Sequence, residues 1–370
     1  MTAPKVSVLI YTARGDYPFV NPDWHCFDPV VKTLAAQTMK DFELILVDMH
    51  WETRSDYFKK NPQPFPVKHV PSSPNFWQMR QRTGLCAQIN RGFAWADGEL
   101  IWTGGENNLF PQTHVERAWE IHRNGTIPVA WYAICRQESG EPHRDCPAEF
   151  DLLGYTHRHV QDMDHRAKRF VEDPALHVSP CHHQNYFGYS SVPTDTAIEL
   201  NGYDELFDGQ WGLFDCDFGS RLDLAGKKMT LARDLFVIEP PVAPGPYVGI
   251  GHQEAFKCHY AIYLHSRATG RRANTPLAPD YIDQVKRLTC YGSCELKERC
   301  AKGSLDGDLK MRPEDRVGES IFYPFCEGKN RELAADWFKN APVRDLKTER
   351  EIRLRREPPY DRGFVSDRIT

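Results

Sequence analysis

Short apolar runs alternate with amphipathic segments through the first two thirds of the chain. The run VSVLIYT, from Val6 to Thr12, is rich in β-branched residues and predicts a buried strand. The segment DPVVKTLAAQT follows with one apolar helical face, and we predict that Asp28 is its N-cap and that Pro29 is its first helical residue. A second apolar run, FELILVD, ends at Asp48. Strand, helix and strand in this order, with continuously apolar strands, predict a parallel sheet covered on both faces.

The same alternation continues beyond the second strand. A Pro-rich loop over 61–74 contains VKHV, a short predicted strand, and a helix is predicted over 76–96. The stretch GELIWTGGENNLFPQTHVERAW predicts a strand, a loop and a helix that begins after Pro111. The polar segment over 137–180 predicts an insertion. Further strands are predicted in IPVAWYAIC, KMTLA and LFVIEP, and further helices in TDTAIELNG, LFDCDFGSRLDLAG and HQEAFKCHYAIYLHSRATG.

Composition narrows the class of protein. Hydrophobic residues make up 41% of the 370 residues and charged residues 26%, which is typical of a soluble globular protein. The formal net charge of -5 provides no overall basic field that would attract nucleic acid. No apolar run reaches the roughly 18 residues of a membrane-spanning helix, and the N-terminal apolar run is too short for a secretory signal. We therefore expect a cytoplasmic protein without a transmembrane segment.

Several ordered segments carry a resemblance to a known family. They are VSVLIYTARGDYP, LAAQTMKDFELILVD, INRGFAWADGELIWTGGENNLFPQTHVERAW and LNGYDELFDGQWGLFDCDFGSRLDLAG. In this order they resemble the family 2 glycosyltransferases of the GT-A fold, and related galactosyl- and hexosaminyltransferase modules, over roughly residues 4–265. The resemblance implies a Rossmann-like, mostly parallel mixed sheet with helices on both faces. We assign residues 1–268 to this domain and 269–370 to a C-terminal extension.

The resemblance also implies a nucleotide-sugar donor on the first half of the sheet. Asp48 matches the family acid that contacts the base or ribose of the nucleotide. Thr12, Ala13 and Arg14 match the family segment that lines the nucleotide pocket. The alternative interpretation of Asp48 is a strand-end residue that caps a turn, and that of Arg14 is a surface charge.

The loop GGENN aligns with the family's metal motif of two aspartates one residue apart, which binds Mn²⁺ or Mg²⁺ at the donor phosphates. Gly105 and Asn107 occupy the two aspartate positions, with Glu106 between them. Either Glu106 and Asn107 still bind a cation, or cationic side chains and the N-terminus of the following helix support the diphosphate instead, or activity is lost. His252, in GIGHQEAF, stands where several relatives place a metal ligand. It could equally be a hydrogen-bonded structural histidine.

The segment GQWGLFDCDFGSRL resembles the family segment W-G-x-E-D, in which one acid is the general base of inverting enzymes. Phe214 occupies the Glu position, so Asp215 is the predicted base and Asp217 the second candidate. The preceding NGYDELF supports this assignment. The alternative is that both acids complement the dipole of the helix that begins here. Trp211 is predicted to pack on the donor sugar or acceptor, unless it is a core residue.

The C-terminal extension contains a cysteine cluster and a charged tail. Its four thiols could bind a structural Zn²⁺ or an iron–sulfur cluster, or be separate buried thiols, because their spacing is not that of a standard zinc finger. They are Cys290, Cys294, Cys300 and Cys326. From Ala341 the tail is highly charged and predicts a surface-wrapping or flexible segment. Within it, Arg353, Arg355 and Arg356 are expected on a solvated face, with contact to an anionic acceptor as the alternative.

These features together predict a glycosyltransferase that moves a sugar from a nucleoside-diphosphate sugar to an acceptor hydroxyl, with inversion. The alternatives are a retaining enzyme, since fold does not fix chemistry, and a module that binds a nucleotide sugar or glycan without turnover. The acceptor stays open among a glycan, a lipid-linked sugar, a protein and a modified nucleic acid.

Overall fold

A mostly parallel β-sheet forms the centre of the protein, as the apolar runs predict. The structure is a computed structural model, which describes residues 3–12, 26–73, 84–106, 108–135, 151–152, 155–156, 160–187, 189–208, 212–239, 262–281, 284 and 343–356. Its strands are β1 Val6–Thr12, β2 Phe42–Asp48, β3 Val67–Pro71, β4 Leu100–Gly105, β5 Ile127–Cys135, β6 Asp151–Leu152, β7 Tyr155–Thr156, β8 Val160–Met163, β9 Val178–Pro180, β10 Ser191–Pro193 and β11 Met229–Glu239.

The central sheet has the strand order β10-β4-β1-β2-β3, in which β10 pairs antiparallel with β4 and the other pairings are parallel. A second sheet has the order β8-β5-β11-β9. The segments KMTLA and LFVIEP, predicted as two strands, form the single strand β11 with a register shift between Leu231 and Phe236. Leu109 and Ile238 pair across the two sheets, so the loop after β4 lies beside the end of β11. The α/β architecture confirms the predicted class.

Helices cover both faces of the central sheet. They are α1 Asp28–Ala35, α2 Trp51–Arg54, α3 Tyr57–Lys60, α4 Leu85–Trp95, α5 His114–Arg123, α6 Lys168–Glu172, α7 Thr194–Glu199, α8 Phe214–Leu224 and α9 Leu346–Arg356, and residues 262–269 are also helical. The predicted N-cap of α1 is wrong, because Phe27 occupies that position while Asp28 accepts a hydrogen bond from Tyr57 inside the first turn. None of the helices among the described residues combines the length and apolarity needed to cross a bilayer.

Alternate side chains of the central strands enter two different hydrophobic cores. Leu9 lies in a core shared with α4 and α8, whereas Val8 lies in a core shared with α1 and α5. Full burial of one aliphatic side chain stabilises the fold by about 1.5–3 kcal/mol, so this alternation fixes the register of each strand. Tyr11 therefore faces the α8 layer, and Thr12 and Asp48 face the α1 layer.

The described part of the C-terminal extension packs on this domain. Arg271 pairs with Asp204, and α9 packs along α4. The expectation that Arg353 lies on a solvated face is wrong. Its side chain is buried, pairs with Asp97 and donates to the carbonyl oxygen of Trp95. A highly charged segment docks here because the domain offers buried carboxylates that need positive partners.

Gly219 allows the close approach of α8 to the turn over His183–Asn185. A Cβ atom on Gly219 would lie 2.2 Å from the carbonyl oxygen of His183 and 2.7 Å from Cβ of Tyr186. Both neighbours are parts of the main chain or directly attached to it, and cannot rotate away.

We predict that Gly219→Ala lowers the free energy of unfolding by about 1–3 kcal/mol, because overpacking outweighs the gain of roughly 1 kcal/mol in helix propensity. Urea unfolding followed by circular dichroism measures the change. Leu224→Ala, at a position 55% exposed on the same helix, serves as the control and is expected to change stability little. A Gly219→Ala variant as stable as the wild type would contradict the prediction.

Candidate active site at the carboxyl end of the central sheet

The carboxyl ends of β1 and β4 meet where the chain reverses its direction across the sheet. From β1 the chain adds β2 and then β3 on one side, and returns to place β4 on the other side of β1. Open α/β sheets bind ligands in the crevice at such a switch point. The register pairs Tyr11, the penultimate residue of β1, with Gly105, the last residue of β4, so Tyr11 and Glu106 lie at the ends of two adjacent strands at this crevice.

The negative charges of three carboxylates act on the side chain of Tyr11. Burial raises the pKa of its hydroxyl, and the negative charges of Glu106, Asp215 and Glu239 raise it further. These acids come from the end of β4, the first turn of α8 and the end of β11. The fold therefore brings Glu106 and Asp215, both predicted site residues, to one place. We call this group of three acids around Tyr11 the carboxylate site.

The sequence prediction missed Glu239 and Tyr11. Glu239 stands at the end of an apolar strand, as Asp48 does, and the same rule about strand ends would have selected it. Its strand belongs to the second sheet, and the pairing of Leu109 with Ile238 brings its end to the candidate site. That pairing is a long-range contact with no local signal.

A tight turn presents Glu106 at the end of β4. The amide of Asn108 donates to the carbonyl oxygen of Gly105 at 3.1 Å, and the amide of Gly105 donates to Oδ1 of Asn108 at 2.5 Å. Gly105 thus stabilises this turn through its backbone amide and carbonyl groups. Glu106 is 9% exposed, and the thiol of Cys26 donates to its Oε2 at 3.5 Å. Burial raises the pKa of Cys26, as does the charge of Glu106, so this thiol is a neutral donor.

Asp215 lies in the first turn of α8, behind a strained backbone. Leu213 adopts φ 64° and Gly212 adopts φ 106°, both in the left-handed region. For a bulky residue such as Leu213 this conformation costs about 1–2 kcal/mol and is often found at functional sites. Oδ1 of Asp215 accepts a hydrogen bond from the amide of Cys216 at 2.9 Å, and the residue is only partly buried.

Asp217, the second candidate base, does not reach the carboxylate site. Its side chain is 1% exposed, and Nε and Nη2 of Arg221 each lie 2.9 Å from its Oδ2. Burial raises its pKa to about 6, although the charge of Arg221 opposes the rise. The helix and the guanidinium leave this carboxylate little exposed to an acceptor hydroxyl. Its role as second candidate base stays a prediction, and its pairing with Arg221 favours a structural role.

Asp48, whose contact with the nucleotide stays a prediction, has three partners within the protein. Its Oδ1 accepts from the amide of His50 at 2.7 Å and from Arg54 at 2.6 Å, and its Oδ2 accepts from Nε2 of His69 at 2.9 Å. Burial would raise its pKa, but the hydrogen bond from His69 and the charge of Arg54 bring it below the ordinary value. Asp48 caps a turn and balances a buried Arg54, as in the alternative interpretation. Thr12 is likewise buried and shares a hydrogen bond of 2.9 Å with Cys26.

Internal acceptors already engage part of the N-terminus of α5, which is the alternative to a metal for supporting the diphosphate. The amide of His114 donates to the carbonyl oxygen of Pro111 at 2.9 Å, and that of Val115 donates to Oε1 of Gln37 at 3.0 Å. These are two of the amides that a phosphate at this helix end would use. Support of the diphosphate by this helix stays a prediction.

The described residues fit a divalent cation only if the donor supplies part of its coordination. Within the described ranges, no group of three or more His, Cys, Asp or Glu side chains is arranged to hold a metal ion. Mg²⁺ is commonly held by one or two carboxylates together with substrate phosphates, and Glu106 provides such an oxygen ligand. Any such cation would therefore be expected to bind together with a diphosphate.

The remaining predicted site residues lie outside the described ranges. They are Ala13, Arg14, Asn107, Trp211, His252, Cys290, Cys294, Cys300 and Cys326. Their roles in donor binding, cation binding and a structural Zn²⁺ site stay predictions. In comparisons with known proteins, no family model and no curated protein matches the chain. The function is accordingly proposed from the resemblance of the sequence segments and from the chemistry of the site.

We predict that Asp48→Asn lowers the free energy of unfolding by about 3 kcal/mol at pH 7, since it leaves Arg54 buried without its counter-charge. Because the pKa of Asp48 is lowered in the fold, its contribution is present above about pH 4 and is lost as the pH falls further. The difference between variant and wild type in urea unfolding should therefore shrink below pH 4. Asp41→Asn, at an exposed pair with Lys5, is the control. Equal stabilities at pH 7 would contradict this assignment.

Proposed function

We propose that the protein is a glycosyltransferase of the GT-A type, which transfers a sugar from a nucleoside-diphosphate sugar to an acceptor hydroxyl with inversion. The proposal is carried by the position of Glu106, directly after β4 at the switch point of the sheet, and of Asp215 in the first turn of α8, near enough for both charges to act on Tyr11. These two acids come from separate segments that resemble the base and metal segments of that family. The resemblance itself supplies the reaction type.

The proposed base is Asp215. In a direct displacement, the acceptor oxygen attacks the anomeric carbon while the bond from that carbon to the diphosphate breaks. Asp215 takes the proton of the acceptor hydroxyl as the new bond forms. Asp215 suits this step because it is partly accessible at the rim of the site, whereas Asp217 is enclosed.

The charge of the site determines how a diphosphate could bind there. Two like charges about 4 Å apart repel by roughly 4 kcal/mol near a protein surface. Glu106, Asp215 and Glu239 would therefore disfavour a diphosphate unless positive charge accompanies it. When bound, a divalent cation would neutralise the charge that develops on the departing diphosphate. Glu106 and the phosphates would both bind this cation. Asn107 and His252 stay its predicted further ligands.

Two alternatives predict different results. A retaining transferase would give the opposite anomer of the product, which NMR of the released glycoside identifies. A binding module without turnover is favoured by the incomplete set of metal ligands among the described residues. Such a module would bind a nucleotide sugar but would neither hydrolyse nor transfer it during long incubation.

We predict that Asp215→Asn reduces transfer by about 10²–10⁴-fold while donor affinity is retained, because the variant loses the proton acceptor and keeps its shape. The measurement is initial rate with the donor found by screening, together with calorimetric donor binding. The matched control is Asp195→Asn, since Asp195 is an exposed acid in the first turn of α7. This control tests whether the loss of an acid from the first turn of a helix is by itself sufficient to reduce transfer. Transfer at the wild-type rate by Asp215→Asn would remove Asp215 from the mechanism.

A thermal-shift screen of UDP-, GDP-, CMP- and dTDP-sugars, with and without Mn²⁺, identifies the donor. We predict that one nucleoside-diphosphate sugar raises the Tm by several degrees only when Mn²⁺ is present, because bound ligand stabilises the folded state and the site needs positive charge. Glu106→Gln should abolish the part of the shift that depends on Mn²⁺.

The control for this screen is Glu99→Gln, since Glu99 is 69% exposed and lies next to the amino end of the same strand. If the donor raises the Tm equally with and without Mn²⁺, a role of the cation is ruled out and the proposed transferase activity stands. Absence of a shift with every donor, together with absence of hydrolysis, would contradict the proposed function.

A further inference from the structure

One arginine of the C-terminal segment reaches the carboxyl edge of the central sheet. The guanidinium of Arg344 is 14% exposed and pairs with Glu205. It also donates to Oγ of Ser73 at 2.7 Å and to the carbonyl oxygen of Ala87 at 3.2 Å. Ser73 follows β3, and Ala87 lies in the first turn of α4. Because α4 leads back to the amino end of β4, its first turn lies at the same edge of the sheet as the candidate site.

Glu205 and Asp208 are two neighbouring buried acids close to Arg344. Their exposures are 3% and 2%, and Asp208 accepts from the amides of Cys86 at 2.6 Å and Ala87 at 3.1 Å. Burial raises the pKa of both acids, and the charge of Glu205 raises that of Asp208 further. The charge of Arg344 opposes the rise at Glu205. Without Arg344, two adjacent carboxylates would stay buried with less positive charge beside them.

Asp208 begins the segment that leads to the proposed base. It stands seven residues before Asp215, with 209–211 between it and the part of the segment that the structure describes. The far end is held by α8, where the amide of Asp217 donates to the carbonyl oxygen of Leu213 at 2.9 Å. The left-handed conformation of Leu213 persists only if the surrounding structure fixes it. The ring of Tyr203, two residues before Glu205, lies 5.7 Å from that of Phe214 and 4.4 Å from that of Phe218, so the anchored turn contacts the start of α8 directly.

We propose that Arg344 is a positioning residue for the transfer reaction, which fixes the segment carrying Asp215 through Glu205 and Asp208. The inference rests on the proposed function only for its catalytic part, since Asp215 is a base only in that proposal. The C-terminal segment is then a component of the active unit and not a removable tail. The contact of Arg344 with Ser73 ties the segment after β3 to the same anchor.

Hydrogen exchange tests the anchoring without any need for activity. In full-length Arg344→Gln, we expect the amides of Cys86, Ala87 and Asp217 to exchange at least about tenfold faster, while those of β1 and β2 keep their wild-type rates. The control Arg355→Gln removes an arginine that is 79% exposed and lies 3.6 Å from Glu351 in the same C-terminal helix. Unchanged exchange at the three amides, or equal acceleration throughout the chain, would overturn the proposal.

The double variant Arg344→Gln/Glu205→Gln separates charge balance from general packing. Removing the carboxylate that lost its partner should return the exchange rates of Cys86 and Ala87 toward the wild-type values. Arg344→Lys keeps the charge but loses the planar fork that reaches both Glu205 and Ser73, so an intermediate rate is expected. A double variant that exchanges faster than Arg344→Gln would contradict the anchoring by charge.

Kinetics test the catalytic part. We expect kcat of Arg344→Gln to fall by about 10–100-fold, because a small displacement of the base costs this much, while KM for the donor changes by less than about threefold. A wild-type kcat in Arg344→Gln would overturn the inference and leave the proposed function in place. If the wild-type protein itself transfers no sugar, the proposed function fails, and the exchange rates still decide whether Arg344 anchors the segment.

Discussion

The parallel pairing of β1 with β4 is the constraint on which the rest of the structure depends. It places Tyr11 opposite Gly105, so that the chain after β4 begins beside the end of β1. The strand period of two then directs Tyr11 toward the α8 layer and Thr12 toward the α1 layer. A shift of one residue would exchange these faces and bury polar groups in the wrong core. The position of the carboxylate site follows from this register.

Several charged groups near the sheet form ion pairs within the protein. Asp48 balances Arg54, Asp217 balances Arg221, and Arg344 balances Glu205. Burying an ionised side chain costs free energy unless a partner of opposite charge lies beside it. Such pairs fix the turn after β2, the helix α8 and the C-terminal segment. The acids at the rim of the sheet are distinguished by their common action on one tyrosine, Tyr11.

The carboxylate site combines negative charge with a strained entry to α8. In the proposed reaction, these acids would disfavour a diphosphate by itself and would favour one that binds together with a cation. The left-handed Leu213 holds the start of α8 in a conformation that local propensity disfavours. Both features oppose stability locally, so the surrounding structure must stabilise this geometry.

The sequence by itself determined the order of strands and helices, the α/β class, and the presence of acids at Asp48, Glu106 and Asp215. It did so because periodicity and strand-end position are local properties that a single chain displays. Only the tertiary structure decided which acids are accessible. It assigned Asp48 and Asp217 to buried ion pairs and added Glu239, because counter-charges and sheet-to-sheet contacts come from residues far away in the chain, and burial depends on them.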